Sequence, residues 1–482
     1  MQFKQLAVVF QKLEETSSRN TMTTILAELF RGATVSDVGY ICYLLQGRVV
    51  PLYEPVEFGM ADKLVIRGVA ESLGIEASQV VTIFKRTGDL GKTVAELKNN
   101  PPKKSQLSMA DIAIMSNNSY QPDLSVLDVY NKLLLIAKSG GAGSQEQKLT
   151  HLSGLLRSLD ASSASFIVRI VLGKLRLGFS DMTMIDELSW MEAGDKSLKQ
   201  EIERAYNVRP DLGFISSTVR KLGVKGLQRV IPKPMTPIMM ARANRLTSAQ
   251  EIFKKIGKCA VEYKYDGLRL QVHKEGKNIK LYSRKLEDLT PSFPDIVEAV
   301  FAQVKARDII FEGEIVAFNP DTHVFMPFQE TMQRRRKYDI AEKAVEIPVK
   351  LFAFELLYVN GISLLELGYK ERKEKLKQHL QKGKTIIYAE ERIVTDEQSV
   401  DMMFEESVKL HFEGIIAKKL DGLYEAGIRG WNWIKYKRAM NTRLADTIDV
   451  LVMGYTLGEG KRTDFGVGQF LTGVYDKKKD MY

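Results

Sequence analysis

Glu262-Tyr263-Lys264-Tyr265-Asp266-Gly267-Leu268-Arg269 is the stretch from which the organisation of the chain can be read. A lysine ends one predicted strand and is followed by an acid, a glycine and an arginine. Glycine at 267 lets the backbone pass close to a ligand. Immediately beyond, Leu268, Leu270 and Val272 alternate with polar residues, Glu275-Gly276-Lys277-Asn278 makes a turn, and Ile279 and Leu281 resume the alternation. That pattern predicts a β-hairpin. Further strands are expected at 309–318, 349–358, 414–419 and 433–437, with a helical pattern at 369–380 between two of them. The region is therefore a mixed α/β (α+β) domain built largely on antiparallel sheets.

Upstream the spacing changes. Phe3, Leu6, Ala7, Phe10 and Leu13 recur at helical intervals, and Ile25, Leu26, Leu29 and Phe30 make a second stripe that Gly32 is placed to end. Breaks at 99–102 and 139–144 read as loops within an all-helical domain over 1–225. Three prolines within 231–237 stop helical structure and mark a domain boundary. The second domain is expected over 235–440. Strands at 448–455 and 468–475 open a third, over 446–482. No solenoid-type repeat runs along the chain.

A length of 482 residues allows two to four domains, each with its own core, and excludes a small stapled scaffold. Seventy Lys and Arg against 60 Asp and Glu give a net charge of +10, which favours a polyanionic partner without requiring one. The two cysteines, Cys42 and Cys259, supply neither a disulfide framework nor a four-cysteine zinc site. The five histidines, at 151, 273, 323, 379 and 411, show no H-E-x-x-H spacing, so a zinc hydrolase has no support. The apolar run at 6–10 is too short for a signal peptide, and no segment approaches the roughly 20 apolar residues of a membrane helix. The reading is a cytoplasmic protein.

The segment around Lys264 resembles the K-x-D-G-x-R motif of the covalent nucleotidyltransferases, and among them the ATP-dependent DNA ligases of the archaeal and eukaryotic replicative type. Five further motifs follow in family order: Ser283-Arg284, Glu312-Gly313-Glu314, Phe352-Ala353-Phe354-Glu355, Glu413-Gly414 and Trp433-Ile434-Lys435-Tyr436-Lys437. Arg204-Ala205-Tyr206-Asn207 and Asp211-Leu212-Gly213 resemble the end of the helical DNA-binding domain of such ligases, so the likeness covers most of the chain. It implies an all-α DNA-binding domain, a nucleotidyltransferase (adenylation) domain and a β-barrel OB-fold. A two-cysteine chain also lacks the tetracysteine module expected of NAD-dependent ligases, which makes ATP the better nucleotide assignment while leaving other adenylate donors open.

The resemblance implies roles residue by residue. Lys264 accepts AMP. Glu262 faces the adenine edge, Phe354 stacks on the base, and Glu314 receives the ribose hydroxyls. Arg269 and Arg284 bind ribose or phosphate oxygens, and Arg429 with Lys435 and Lys437 holds the triphosphate. Glu413, with Glu314, is the metal-ligand candidate for Mg²⁺, for which Mn²⁺ can substitute; Mg²⁺ needs few carboxylates when phosphate oxygens and water complete its shell. Taken singly, each residue has a plainer use: an exposed strand lysine, a core phenylalanine, surface carboxylates. The run Arg334-Arg335-Arg336-Lys337 reads first as a solvated face and second as a DNA-backbone contact. An amine attacking the α-phosphorus must be unprotonated, whereas an ordinary lysine of pKa about 10.4 is almost wholly charged at neutral pH. The reading therefore expects basic neighbours and bound metal around Lys264.

The partners implied are ATP and nicked double-stranded DNA, in replication, repair or recombination. The chain is expected to act as a monomer near the nucleoid, and a sliding clamp is a further candidate that no segment identifies. Only 37 residues follow Ala445, too few for a five-stranded barrel. Arg462-Thr463-Asp464 is read as a coincidental likeness to the barrel's basic motif. The expectation is an incomplete OB-fold and, from that, slow self-adenylylation. Rival readings are an RNA ligase or capping-type enzyme, against which the long helical domain speaks, and a catalytically impaired DNA-binding fragment.

Overall fold

The computed structural model describes residues 1–101, 124–175, 177–322, 324–336, 338–381, 383–437, 450–458, 466–476 and 480–481. Pro102, Arg462-Thr463-Asp464, Lys337 and the interval 438–449 lie outside these. The helical stripes form as their spacing predicts. Phe3, Leu6, Ala7, Phe10 and Leu13 are all buried along the helix Phe3–Glu15, and Leu26, Leu29 and Phe30 along Arg19–Gly32. Gly141 and Gly143 take positive φ in the loop between Val126–Lys138 and Ser144–Arg157, where a side chain would be strained. Helices continue to Leu212–Leu222, capped by Asp211, whose Oδ1 accepts from Phe214 N at 2.9 Å and from the Tyr43 hydroxyl at 2.7 Å.

Beyond the prolines the chain builds two sheets. The strands are β1 (Arg242–Arg245), β2 (Cys259–Lys264), β3 (Leu268–Glu275), β4 (Asn278–Ser283), β5 (Asp308–Ala317), β6 (Val349–Val359), β7 (Ile362–Ser363), β8 (Ile386–Tyr388), β9 (Glu391–Val394), β10 (Gly414–Lys419) and β11 (Arg429–Lys437). One sheet runs β1-β11-β10-β2-β9; the other runs β4-β3-β5-β6-β7, with β8 beside β6. All pairings are antiparallel except β1 with β11 and β6 with β8. β12 (Leu451–Thr456) and β13 (Gln469–Gly473) form a separate antiparallel pair. The architecture is thus a helical N-terminal region, an α+β domain on antiparallel sheets, and C-terminal strands.

Three local findings differ from the sequence reading. β3 alternates in sequence, yet Gln271 and His273 on its polar face are fully buried, because hydrogen bonds replace water there. A Cβ on Gly267 would sit 2.2 Å from Ile315 O, so the glycine admits the neighbouring strand β5 as well as facing the cavity described below. Arg334 is not a solvated charge. It is 1% exposed, forks onto Asp295 at 2.8 and 3.1 Å, donates to Ile347 O at 2.8 Å and lies over the Phe293 ring. Arg335 does reach the surface, pairing with Glu287 at 2.8 Å. Residue type alone cannot separate two adjacent arginines, just past the helix Phe328–Met332, of which one is buried and one is exposed.

Truncating the buried Arg334 removes its packing and its hydrogen bonds to Asp295 and Ile347, at a cost of about 2 kcal/mol or more even though Asp295, 28% exposed, stays solvated, whereas exposed pairs contribute about 0–1 kcal/mol. Arg334→Ala should therefore lower the thermal unfolding midpoint clearly, and Arg335→Ala should leave it within about a degree or two. Equal effects in a calorimetric scan would contradict the assignment.

Candidate nucleotide site

Three strand ends set the centre of the site. Gly414, at the start of β10, pairs in register with Lys264 at the end of β2 on one side and with Lys437 at the end of β11 on the other. Glu413 precedes it, and its backbone N–H donates to Lys264 O at 3.0 Å. The Glu413 carboxylate is thereby placed between two lysines: its Oε2 lies 3.0 Å from Lys264 Nζ and also contacts Lys437 Nζ. Gly414 has φ of 138°, and a Cβ there would fall 2.1 Å from Tyr436 O, so only glycine lets the three strands close at this point.

Around this row lies a cavity of about 440 Å³ between the two sheets, within the size range of small-ligand sites. Every candidate nucleotide- or metal-binding residue named from the sequence lines it: Lys264, Glu262, Arg269, Arg284, Glu314, Phe354, Glu413, Arg429, Lys435 and Lys437. Their settings differ from the simplest expectation in several ways. Arg284 lies just past β4, and Arg429, upstream of the strand expected at 433–437, is already the first residue of β11, paired with Arg242 of β1. The surroundings of Lys264 are mixed instead of purely basic, with Glu413 against the amine and Glu314 and Asp266 close enough to act on it.

Glu262 is 2% exposed and heavily engaged. Its Oε1 accepts from Lys373 Nζ at 2.6 Å and the Tyr369 hydroxyl at 2.7 Å, and its Oε2 lies 2.5 Å from Lys418 Nζ. Burial pushes this carboxyl up, but the two lysine charges outweigh it and hold the group below its ordinary value. Lys418 in turn lies under 5 Å from the ring centres of Phe354, Tyr369 and Trp433. Lys418, Lys373 and Tyr369 are the residues the sequence reading missed. Lys373 and Tyr369 sit on the charged-looking helix Tyr369–His379, where nothing in the pattern marks two side chains as buried.

The charges around the cavity are strongly coupled. Burial lowers Lys435, and Lys437, Arg429, Lys264 and Arg284 lower it further. Burial pushes Glu413 up, yet Lys264 and Lys437 leave it below the usual carboxylate range. Glu314 is raised to about 7, first by burial and then by Glu413 and Asp266, against the opposing pull of Lys264 and Arg269. Asp266 is raised by burial, and then by its hydrogen bond and charge contact with Glu413, while the Phe328 N–H works the other way. Among the described residues no three His, Cys, Asp or Glu side chains are grouped to hold an ion by themselves. The two carboxylates Glu413 and Glu314 nonetheless fit a hard divalent cation that takes its remaining oxygens from phosphates and water.

A cavity with a cationic rim, an aromatic wall and a reachable amine at its centre suits a nucleotide. Residues 239–437 match the family model described as ATP dependent DNA ligase domain, and residues 2–189 match that described as DNA ligase N terminus. The chain is 42% identical to a probable DNA ligase of Dictyoglomus turgidum over 482 residues, covering all of this chain and 80% of that protein. It is 40% identical to the DNA ligase of Pyrobaculum calidifontis over 483 residues, with the same coverage. A solved structure named Pmar-Lig_Pre. covers 98% of this chain and 85% of its own at 16% identity with a TM-score of 0.50, a likeness of fold. The chain belongs to the ATP-dependent DNA ligase family and is an enzyme of that class. No described helix is long and apolar enough to cross a membrane.

Because Glu314 is raised from 4.5 to about 7 in the folded state, its contribution to stability is present below about pH 4.5 and is lost as pH rises through 7. Glu314→Gln removes that titration. The variant should gain stability relative to the parent between pH 5 and pH 8, by on the order of 2–3 kcal/mol. Parallel thermal melts across this range would detect it; a constant difference would contradict the assignment.

Proposed function

We propose that Lys264 is the residue on which the chain carries AMP, and that the surrounding side chains play the roles their positions suggest. The supporting observation is the strand-end row that seats this amine within the cavity and beside Glu413. In the first step Lys264 Nζ attacks the α-phosphorus of ATP, the P–N bond forms, the α–β bridging P–O bond breaks, and pyrophosphate leaves. In the second, a 5′-phosphate oxygen of nicked DNA attacks the same phosphorus and the P–N bond breaks, returning the amine. In the third, the DNA 3′-hydroxyl attacks the 5′-phosphorus, a phosphodiester forms and AMP departs.

Glu413 holds the ammonium of Lys264 in place until the nucleotide arrives, so the ion pair must open before the nitrogen can attack. A divalent ion, which we take to be Mg²⁺, would be held by Glu413 and Glu314 and would supply charge neutralisation for the phosphates when bound. Arg284, Arg429, Lys435 and Lys437, which line the cavity, would face the triphosphate and favour charge moving onto the leaving pyrophosphate. Phe354 and Trp433, 6.1 Å apart and edge to face, offer an aromatic wall for the base. Glu262 would accept from the adenine amine with a remaining lone pair, or set Lys418 against the ring.

We further assign 1–225 to DNA binding, 235–440 to adenylation and 446–482 to the start of an OB-fold. Between Asp211 and Glu251 the chain carries seven Lys or Arg and no acid. Lys221, Lys225, Arg229 and Lys233 from this stretch are exposed, as a surface for DNA phosphates requires. Action as a monomer in the cytoplasm near the nucleoid fits this reading. A sliding clamp remains a proposed partner.

With labelled ATP and Mg²⁺ the parent chain should carry label through denaturing electrophoresis, and added pyrophosphate should strip it. Lys264→Ala should carry none; a labelled Lys264→Ala band would remove the nucleophile assignment. On nicked duplex, Lys221→Gln/Lys225→Gln should weaken binding and make the plot of log affinity against log salt shallower by about 2. An unchanged slope would place the DNA elsewhere.

A further inference from the structure

The segment 238–241, which leads from the helical region into the sheets, is held by an unusually complete set of hydrogen bonds. The Gln271 side chain bonds both backbone groups of Ile238: its Oε1 accepts from Ile238 N at 2.7 Å, and its Nε2 donates to Ile238 O at 3.1 Å. Met239 N donates to Asn207 O at 2.8 Å, on the last turn of the helix Lys199–Val208, and Gly427 N donates to Met239 O at 2.7 Å. Ala241 N donates to the Tyr424 hydroxyl at 3.0 Å, and Arg269 Nη1 donates to Ala241 O at 2.8 Å.

Three of these side chains converge on one carboxylate. Glu312, fully buried, accepts from Gln271 Nε2 at 3.0 Å and the Tyr424 hydroxyl at 2.9 Å on one oxygen, and from Arg269 Nη2 at 2.6 Å on the other. Gln271 Oε1 also faces His273 Nε2 at 2.8 Å; as Oε1 can only accept, the imidazole must present its Nε2–H there. Both donors and the acceptor of Gln271 are therefore committed. A buried amide with nothing left over holds one geometry.

The clamped segment is also part of the site. Ala241 lines the cavity together with Arg242 and Ala243 just beyond it, and Arg269 lines it while its guanidinium lies 5.4 Å from the Phe354 ring centre and 5.1 Å from that of Trp433. With Nη1 and Nη2 tied to Ala241 O and Glu312, Arg269 keeps a buried Nε–H that has no partner. We infer that Gln271 and Tyr424 act through Glu312 as positioning residues of the nucleotide cavity, by fixing the 238–241 segment as one of its walls and aiming Arg269 at the ligand. Asn207 extends the same support to the helical region, since Gly427, which must lack a side chain because Asn207 Oδ1 would lie 2.5 Å from its Cβ, joins the two. The inference rests on the cavity being the ATP site.

The test measures self-adenylylation by the whole chain over a range of ATP concentrations in Tyr424→Phe and Gln271→Met, both close in volume to the parent residues. The half-saturating ATP concentration should rise about five- to tenfold in each, with the maximal rate within about twofold. The double variant should rise by less than the product of the two, because both act on one segment. A purely structural role would reduce the fraction of active protein, read from the burst amplitude, and leave half-saturation unchanged; half-saturation within twofold of the parent would overturn the inference. Hydrogen exchange on the unaltered chain gives a second readout that no folding defect can obscure. Adding an ATP analogue with a non-cleavable α–β linkage should slow exchange of the Ile238 and Ala241 amides at least tenfold more than that of amides in the helix Phe3–Glu15, and equal slowing would also overturn it. Should the parent form no adduct at all, the assignment of Lys264 fails; an adduct with unmoved half-saturation sinks only the positioning role.

Discussion

The contact between Lys264 and Glu413 depends on a strand register, and the rest of the site is arranged around it. β10 lies between β2 and β11, so one residue, Gly414, faces the last residue of each neighbour. Whatever precedes Gly414 must then stand between two lysines. A carboxylate there keeps two like charges from meeting across a narrow gap, and a glycine next to it is demanded by the carbonyl of Tyr436. Shifting the register by one residue would send these side chains to the other face of the sheet and dissolve the site.

The cavity combines groups that would each be costly to bury alone. Four cationic side chains, Arg284, Arg429, Lys435 and Lys437, stand within mutual influence, and their repulsion is stored in the folded protein and relieved when an anion enters. Within the same cluster, Glu314 and Asp266 are held toward their neutral forms by burial and by Glu413, and Glu314 lies near enough to Arg284 to act on it. A ligand that brings negative phosphates to the cations, together with the divalent ion proposed for Glu413 and Glu314, would satisfy both sets of charges at once. That complementarity explains why so polar a pocket can sit between two well-packed sheets.

Much of this was legible in the chain because the relevant signals are local. The hairpin at β3 and β4, the long strands β5 and β6, and the helix Tyr369–His379 follow from spacing and turn residues within a dozen positions. All ten named site residues line the cavity, and the nine that belong to motifs do so because each motif sits on or beside a strand whose direction its neighbours set. What escaped were side chains whose role depends on a partner far along the chain. Lys373 meets Glu262 across 111 positions, and Tyr424 meets Glu312 across 112. Arg334 and Arg335 share a type and a neighbourhood but not a fate, because Asp295 waits for only one of them.

By itself the amino-acid order determined the kinds of element, the change from helical to alternating periodicity across the prolines, and the inventory of charged and aromatic groups, since these reside in short-range periodicity and residue chemistry. Tertiary structure alone decided the neighbours: a carboxylate against the central amine, a buried glutamate clasped by two lysines and a tyrosine, and a connecting segment turned into a cavity wall. Those outcomes depend on which strands become adjacent and on how closely their backbones approach. Register and burial are properties of the assembled sheets, in which residues more than a hundred positions apart come within hydrogen-bonding distance.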